Sequence, residues 1–390
     1  MQIELGLEQM RFRDEVRDYL RGLMTNEFVA ELKEARYAHG GGPVYVETMR
    51  RLGEDGWIAR SWPRELGGTG LGPVEQYLLI EEAYQVGFPW PMLSANSIGP
   101  SVARNANPAI RDRVVGEILR GEAYLAIGYS EPGAGSDLAS LQTRATRDGD
   151  EWVINGQKIW TSNAHFARYI WLAARTDPDP AKRHKGISLF LVPTDTPGYA
   201  CTPIRTLGVG TNATYYEDVR IPADHLIGTI NEGWKLITGQ LNIERLSLGA
   251  HGHVRVLFDR TLECLRSTPA LSPVLAKSWV RRSLALIHTR LEALRIMGFK
   301  AVWEMERGGS GMVEASIVKI YGSELWVEIG RRMGEILGAA ALLSGGPDAA
   351  LDGLADEWYR KGSVHTFGGG ANELQRSIIA TGGLKLPRAA

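Results

Sequence analysis

Apolar residues recur at helical spacing through the first part of the chain. Between residues 8 and 24 they lie on one helical face, separated by charged residues that would face water: Phe12, Val16, Tyr19, Leu20 and Leu23. Comparable patterns occupy residues 45–52, 74–86 and 110–120, and Gly53 and Gly121 follow two of them as stop signals. We therefore predict a mostly helical domain over residues 1–122.

The pattern changes after residue 124 to short runs rich in β-branched and aromatic residues. Such runs, divided by turn residues, occupy residues 169–174, 186–192, 201–207 and 213–221. Two further runs flank Asn155-Gly156, a dipeptide that predicts a type I′ turn joining two strands into a hairpin. We predict a compact antiparallel β domain over residues 123–232.

Helical patterns return after Gly233. They cover residues 234–265, 273–305, 311–343 and 353–367, and their apolar faces are broad. Such faces are typical of a four-helix bundle that also meets partner chains. The expected fold class is therefore α+β, with this C-terminal bundle over residues 233–390.

Composition and charge exclude several classes of protein. A chain of 390 residues exceeds the usual size of a single core, so two or three domains are expected. The formal net charge of −1 gives no electrostatic reason to propose a nucleic acid or an anionic membrane as partner. Cys201 and Cys264 lie far apart without a CxxC or His/Cys cluster, which argues against metal sites and a disulfide framework.

The sequence predicts a soluble enzyme of the cytoplasm. Glu4, Glu8 and Arg11 stand where a secretory signal would need apolar residues. No run of about 18 apolar residues, the length needed for a membrane span, occurs in the sequence.

A glycine-rich loop and a tryptophan carry the candidate chemistry of the middle domain. The run that ends at Ser130 breaks at residues 131–137, EPGAGSD, where proline removes an amide donor and glycines allow a ligand close to the backbone. The Ser130 and Ser136 hydroxyls and the amide groups suit a polar, phosphorylated ligand. Trp160 and Ser162 offer a flat ring and a hydroxyl, which suit one face of a heteroaromatic cofactor.

These motifs resemble those of the acyl-CoA dehydrogenase family. Residues 129–137 read YSEPGAGSD, and residues 155–163 fit N-G-x-K-x-W-x-[ST]-N, which is similar to the flavin-binding segments of that family. The resemblance extends over nearly the whole chain. It implies a β domain between two helical regions, with FAD bound non-covalently between the β domain and the C-terminal helices. It also implies desaturation of an acyl-CoA, with electrons passed to a carrier, the electron-transfer flavoprotein.

The resemblance also implies which residues bind the cofactor. Five of them would line the flavin and the substrate thioester: Ile127, Tyr129, Ser130, Gly135 and Ser136. Trp160 and Ser162 would cover the isoalloxazine ring, and the tail residues Ala371 and Glu373 would meet the same cofactor. Ala371 stands where the family usually has threonine, so one hydroxyl contact would be missing.

The catalytic base follows from comparing two branches of the family. In one branch a tail glutamate is the base, but the corresponding position here is Gly369, which cannot abstract a proton. In the other branch the base lies on a helix in an L-x-x-E-R pattern, which residues 241–245 match with Glu244. We expect Glu244 to be the base, since burial would raise its affinity for the proton of a weakly acidic C–H. On spacing alone, a surface carboxylate would be the favoured interpretation.

Two neighbours of this base are expected to meet the substrate. Arg245 matches a family arginine near the substrate, with an ordinary salt bridge as the alternative. Gly369 belongs to a run of three glycines, residues 368–370, that removes side-chain volume near the reacting carbons. A bulky acyl group needs such space, and a steroid side chain is one candidate.

Contacts that the family normally receives from a neighbouring subunit are altered. An R-x-[TQ]-F-G motif should fall within residues 260–274, which contain no Phe-Gly, and a Q-x-x-G-G turn is replaced by residues 335–339, EILGA. A carboxylate at Glu335 would repel the FAD pyrophosphate. The chain most resembles the catalytic subunit of heterotetrameric steroid side-chain acyl-CoA dehydrogenases. We therefore expect a homologous second subunit in an α2β2 assembly, with a homotetramer as the alternative.

Two other functions stay open within the same fold. An acyl-CoA oxidase, whose reduced flavin reacts with oxygen, would carry the same motifs. A non-catalytic subunit would have lost its base, and Glu244 argues against it.

Overall fold

Two units divide the chain, and each collects several separate segments. The structure, a computed structural model, describes residues 4–35, 40–208, 210–309 and 311–387. The helical unit takes the described residues of Met1–Gly22, Gly72–Trp90 and Glu244–Ala390. The sheet unit takes those of Leu23–Leu71 and Pro91–Ile243.

The helices and strands follow the predicted order of helical, sheet and helical regions. In chain order the helices are α1 (Leu7–Leu23), α2 (Asn26–Glu34), α3 (Pro43–Glu54), α4 (Pro73–Val86), α5 (Ile98–Asn105), α6 (Pro108–Leu119), α7 (Gly233–Leu248), α8 (His251–Ser267), α9 (Ser278–Glu306), α10 (Met312–Leu337), α11 (Leu354–Phe367) and α12 (Asn372–Ile378). The strands are β1 (Leu125–Gly128), β2 (Arg144–Asp148), β3 (Glu151–Lys158), β4 (Tyr169–Arg175), β5 (Ile187–Pro193), β6 (Tyr199–Ile204), β7 (Thr211–Pro222) and β8 (Leu226–Ile227). Within the described ranges, no helix combines the length and the apolar composition that crossing a bilayer requires.

Helices α4, α8, α9, α10 and α11 share the hydrophobic core of the helical unit. Trp326 of α10 and Trp358 of α11 stack in this core, and each indole N–H donates to the other residue's carbonyl oxygen, at 3.1 and 3.3 Å. Proline in the first turn starts α4, and Gly87, with a φ of +80°, ends it. The prediction of a helical C-terminal region is confirmed.

The predicted helix over residues 234–265 is wrong as a single helix, because the chain breaks between α7 and α8 at Gly249. Gly249 lies so close to α10 that a Cβ atom would stand 2.5 Å from the Val318 carbonyl oxygen. The Glu81 carboxylate of α4 accepts the Gly252 amide N–H and so caps the start of α8. Apolar spacing does not reveal the break, since both sides bury apolar residues in one core.

The strand order in the sheet unit is β6-β7-β3-β2-β4-β5-β8, and β1 pairs with β4. Most neighbours are antiparallel, as predicted. Strand β1 is parallel to β4, and β2 meets β4 in parallel at one position. The expectation of a purely antiparallel domain is corrected to this extent.

The predicted type I′ turn at Asn155-Gly156 is also wrong. Both residues lie within β3, where the pairing with β7 shifts by a bulge between Ile154 and Gly156. Gly156 has a φ of +147°, and a Cβ there would stand 2.6 Å from Thr143 Oγ1, so the glycine serves the bulge. Asn155 exchanges hydrogen bonds with Asp218, at 2.9 and 3.0 Å. Asn-Gly therefore forms part of a bulge here, and the dipeptide alone does not distinguish a bulge from a hairpin turn.

Candidate active site

The loop over residues 131–137, the EPGAGSD loop, is shaped by its first residue. Backbone hydrogen bonds join Glu131 and Ala134 in both directions, at 2.9 and 3.1 Å. The Glu131 carboxylate accepts the amide N–H groups of Gln142 and Thr143, at 2.7 and 2.9 Å. The glutamate thus ties the loop to the segment that leads into β2.

Lys158, at the end of β3, connects this loop to the sheet. Its side chain is fully buried, and its ammonium donates to the Tyr129 carbonyl oxygen at 2.9 Å and to Glu131 Oε1 at 2.7 Å. Burial lowers the pKa of Lys158 to about 8, although attraction to Glu131 opposes the shift. Burial would raise the pKa of Glu131, but the Lys158 ammonium and the amide donors outweigh it, so that pKa is lowered. The pair is therefore ionised and fixes the loop.

Trp160 is presented by a rare backbone conformation directly after β3. Its φ is +62°, a left-handed value, and 55% of the residue is exposed. Its neighbours are held: Ile159 donates its N–H to the Ser130 carbonyl oxygen at 2.9 Å, and Thr161 exchanges hydrogen bonds with Asn212 at 2.9 and 3.0 Å. These bonds support the strained backbone and leave the indole on the surface.

The other predicted cofactor residues of the sheet unit differ in their exposure to solvent. Three are open on the surface: Gly135, Ser136 and Ser162. Two are half-buried: Ile127 and Ser130. Tyr129 is buried, and its hydroxyl accepts the Trp171 indole N–H at 2.8 Å. The phenol of Tyr129 therefore belongs to the core, and its carbonyl oxygen accepts the Lys158 ammonium.

This surface fits a flavin nucleotide. The exposed indole of Trp160 can stack against a flat heteroaromatic ring. A Cβ atom at Gly133 or Gly135 would meet nothing within 4 Å, so the loop leaves room for a ligand beside its backbone. The Ser136 and Ser162 hydroxyls add polar groups on the same unit.

Glu244 and Arg245 lie near the end of α7, in the helical unit with the tail. Arg245 is buried, and its Nε donates to the Gly369 carbonyl oxygen at 3.3 Å. Burial lowers the pKa of Arg245, against the attraction of Glu244. A Cβ atom at Gly369 would stand 3.8 Å from Glu244 Oε1. Positions 244 and 369, the two considered for the base from the sequence, therefore lie close together in the structure.

Sequence patterns did not single out Lys319, which organises the tail. Its side chain on α10 is fully buried, and its ammonium donates to Gly370 O at 2.7 Å, Asn372 Oδ1 at 2.8 Å and Thr366 O at 3.1 Å. Burial lowers the pKa of Lys319 to about 8, and repulsion by Arg245 contributes. A lone lysine within the buried face of a core helix is the signal that could have revealed it.

The predicted tail residues flank the start of α12. Ala371 directly precedes this helix, and Glu373 is exposed in its first turn. Between them Asn372 is buried, and its Nδ2 donates to Ser323 Oγ at 3.1 Å. Gln375 is also buried, and its Oε1 accepts the Ser316 hydroxyl at 2.9 Å. Helix α10 therefore positions the tail.

Glu335, where the family pattern has glutamine, is exposed on α10. It borders a surface depression of about 440 Å³ that carries three carboxylates and two guanidinium groups: Glu324, Glu328, Glu335, Arg331 and Arg332. Arg332 Nε donates to Glu328 Oε1 at 2.8 Å, so this guanidinium is already engaged. Glu328 also pairs with Arg290, and Glu324 pairs with Arg376 at 2.6 Å, so arginines balance the charges of these two carboxylates.

Comparisons with known proteins agree with this architecture. Family models for the N-terminal, middle and C-terminal domains of acyl-CoA dehydrogenase match residues 7–122, 126–219 and 231–384. Together with the fold, these matches define an oxidoreductase built of an N-terminal, a middle and a C-terminal domain. The chain belongs to the acyl-CoA dehydrogenase family.

Relatives and solved structures match over the full length. Acyl-CoA dehydrogenase FadE26 of Mycobacterium tuberculosis is 40% identical over 402 residues, covering 100% of both chains. The structure described as the Tcur3481-Tcur3483 steroid ACAD is 42% identical, with a TM-score of 0.92 and 100% of both chains covered. The ChsE4-ChsE5 complex from Mycobacterium tuberculosis is 40% identical, with a TM-score of 0.90 and 100% of both chains covered.

Proposed function

We propose that this chain is the catalytic subunit of an FAD-dependent acyl-CoA dehydrogenase. It desaturates a bulky acyl-CoA, of which a steroid side-chain thioester is the favoured class, between its α and β carbons. The electrons pass to a carrier flavoprotein. The substrate class is supported by the similarity to a steroid ACAD of known structure.

The convergence of positions 244 and 369 carries the proposal. Family members place a carboxylate at one of these two positions, and here the Glu244 carboxylate stands 3.8 Å from where a side chain at 369 would begin. Glu244 can therefore act where a base from the tail would act. Gly369 leaves free the volume that a second carboxylate would fill.

Glu244 would take the α-proton of the thioester onto a carboxylate oxygen. Bound FAD would supply the hydride acceptor for the β-hydrogen, and the electron pair left by the α-proton would form the carbon–carbon double bond. Trp160, the EPGAGSD loop, Ser130 and Ser162 would hold the cofactor, and Ala371 and Glu373 would meet it from the tail. Arg245 would orient Glu244 and the substrate from its buried position.

The proposed partner is a homologous second subunit in an α2β2 assembly. One related structure is described as the ChsE4-ChsE5 complex, which has two named components. The exposed carboxylate of Glu335 supports a partner of different sequence, because FAD pyrophosphate bound beside it would need guanidinium groups from elsewhere.

Glu244→Gln tests the base. We expect the variant, purified with its partner subunit, to keep its FAD and lose turnover by at least about 10²- to 10⁴-fold, because amide nitrogen cannot take up the proton. Turnover would be followed with ferrocenium as electron acceptor, using CoA thioesters of steroids with a carboxylated side chain, and palmitoyl-CoA as the unbranched comparison. Glu47→Gln, an exposed change on α3, is the matched control. Near-normal turnover of Glu244→Gln would refute the assignment.

A further inference from the structure

Lys319 has each donor of its ammonium in use. An ammonium has three N–H donors, and the three acceptors are the carbonyl oxygens of Thr366 and Gly370 and the amide oxygen of Asn372. All three acceptors are uncharged. A buried ammonium is costly unless hydrogen bonds replace its water, so the position of Lys319 and the path of the tail depend on each other.

These three oxygens lie on successive parts of the tail. Thr366 is in the last turn of α11, Gly370 lies in the connecting turn, and Asn372 begins α12. Between them Gly369 and Gly370 have φ values of +66° and +101°. Glycine reaches such values easily but has many other conformations available, so these two residues need outside contacts to keep them in place. One ammonium therefore holds three points of the turn over residues 366–372, and weaker bonds from Gln375 and Ser323, at 3.4 and 3.3 Å, supplement it.

The turn reaches Glu244 through Arg245. The Gly369 carbonyl oxygen accepts Arg245 Nε at 3.3 Å, and Arg245 directly follows Glu244 on α7. Lys319 and Arg245 repel each other, whereas Glu244 attracts Lys319.

We propose that Lys319 is a positioning residue for proton abstraction: its ammonium holds the turn whose Gly369 carbonyl orients Arg245 beside Glu244. This inference rests on the proposed role of Glu244 as the base.

The charges around Lys319 come from four helices. Glu244 and Arg245 lie on α7, Glu324 on α10 and Glu373 on α12. On α11, burial first and then Lys361 and Lys319 lower the pKa of His365 to about 4, so His365 is neutral at pH values near 8. Among these groups, Lys319 is the one whose pKa of about 8 predicts titration in the alkaline range.

Loss of the Lys319 proton would weaken the turn. The neutral amine keeps two N–H donors, so one of the three oxygens faces a lone pair, and the positive charge near Glu244 is gone. Turnover should therefore fall as the pH rises through about 8. Global stability should not fall for this reason. The pKa is below its unfolded value of 10.5, so the unfolded state binds more protons between these values and this group adds stability as the pH rises.

Lys319→Met, in the FAD-loaded protein purified with its partner subunit, tests the inference. We expect turnover in the ferrocenium assay to fall about 10²-fold, the effect of a displacement near 1 Å at a catalytic group. Amide hydrogen exchange over residues 367–373 should accelerate. The alkaline decline of turnover should become shallower, because Lys319 no longer titrates while Lys158, whose pKa is also about 8, still does. Lys277→Met, an exposed lysine before α9 whose side chain makes no capping hydrogen bond, is the control and should behave as the wild type.

Unchanged turnover in Lys319→Met, an alkaline decline as steep as in the wild type, or unchanged amide hydrogen exchange over residues 367–373 would overturn the inference. If Lys319→Met does not fold, Asn372→Ala carries the test, because it removes one acceptor and leaves two. Its turnover should then fall by about tenfold. The Glu244→Gln variant separates the two proposals. Near-normal turnover there refutes the base, whereas an inactive Glu244→Gln beside a fully active Lys319→Met refutes only the positioning role.

Discussion

Gly369 meets two conditions that a side chain would violate. Its φ of +66° lies in the left-handed region, and a Cβ atom there would stand 2.6 Å from Leu248 Cδ1. The sequence identified this glycine as the vacated position of a base. It could not reveal the backbone conformation or the closeness to Leu248, because both depend on α7 packing against the tail.

Gly369→Ala should therefore lower both stability and turnover. The left-handed conformation costs an alanine about 1 kcal/mol, and the contact with Leu248 adds to this, so we expect unfolding to become easier by roughly 1–3 kcal/mol. Urea denaturation followed by circular dichroism measures the effect. Gly22→Ala in α1, where φ is ordinary and a Cβ would meet nothing within 4 Å, should be neutral or stabilising. Equal effects of the two changes would contradict the argument.

Conformation also limits how far the two base positions can be exchanged. A glutamate introduced at position 369 of a Glu244→Gln protein would carry the same strain and meet Leu248. A carboxylate in the tail therefore requires a different turn as well as a different residue.

At the scale of elements, one ion pair links the two motifs of the sheet unit. Glu131 belongs to the EPGAGSD loop and Lys158 to β3, and each side chain is buried against the other. From the sequence, both motifs were predicted to contact a flavin. The structure assigns these two members to shaping the loop itself.

Lys158→Met should release the EPGAGSD loop. Removing one partner of a buried pair leaves the other charge without compensation, at a cost of about 3–5 kcal/mol. We expect easier unfolding in urea and loss of flavin absorbance during gel filtration. The double variant Glu131→Gln with Lys158→Met should be less damaged than the sum of the single variants, because no charge is left unpaired. Additive losses would show that the pair does not act as a unit.

Elements that depend on apolar periodicity were predictable from the sequence, and those that depend on close packing were not. The spacing in α1, α4 and α6 and the β-branched runs of β4, β5 and β7 locate these elements within a few residues. The break before α8 depends instead on contact between Gly249 and Val318, which are far apart in sequence. The bulge at Gly156 depends on Thr143 in the same way. In the site, family motifs single out Glu244, whose role stays a prediction, whereas the signal for Lys319 is only a lysine on the buried face of a core helix.

At the scale of the whole molecule, residues 260–274 and 335–339 depart from the motifs that contact the cofactor of a neighbouring subunit. This departure predicts that the chain does not work alone. A homotetramer would place the exposed carboxylate of Glu335 where the family supplies cofactor contacts. We expect the chain expressed alone to be short of FAD and inactive, and the chain expressed with its homologous partner to hold two FAD per mixed tetramer. Mass photometry and flavin absorbance measure this stoichiometry. A homotetramer with one FAD per chain that oxidises acyl-CoA would refute the α2β2 proposal.

The division of the chain into two units also orders events during synthesis. The chain passes between the units after residues 22, 71, 90 and 243, so the sheet unit has its whole sequence once residue 243 is added. Helix α4 is made early, but it shares its core with α8, α9 and α10, which come later. At roughly 5–20 residues per second, a ribosome needs roughly 7–30 s to add residues 244–390. Throughout that interval the helices that cover the apolar face of α4, with Val74, Tyr77 and Leu78, are incomplete, so we expect this face to attract chaperones.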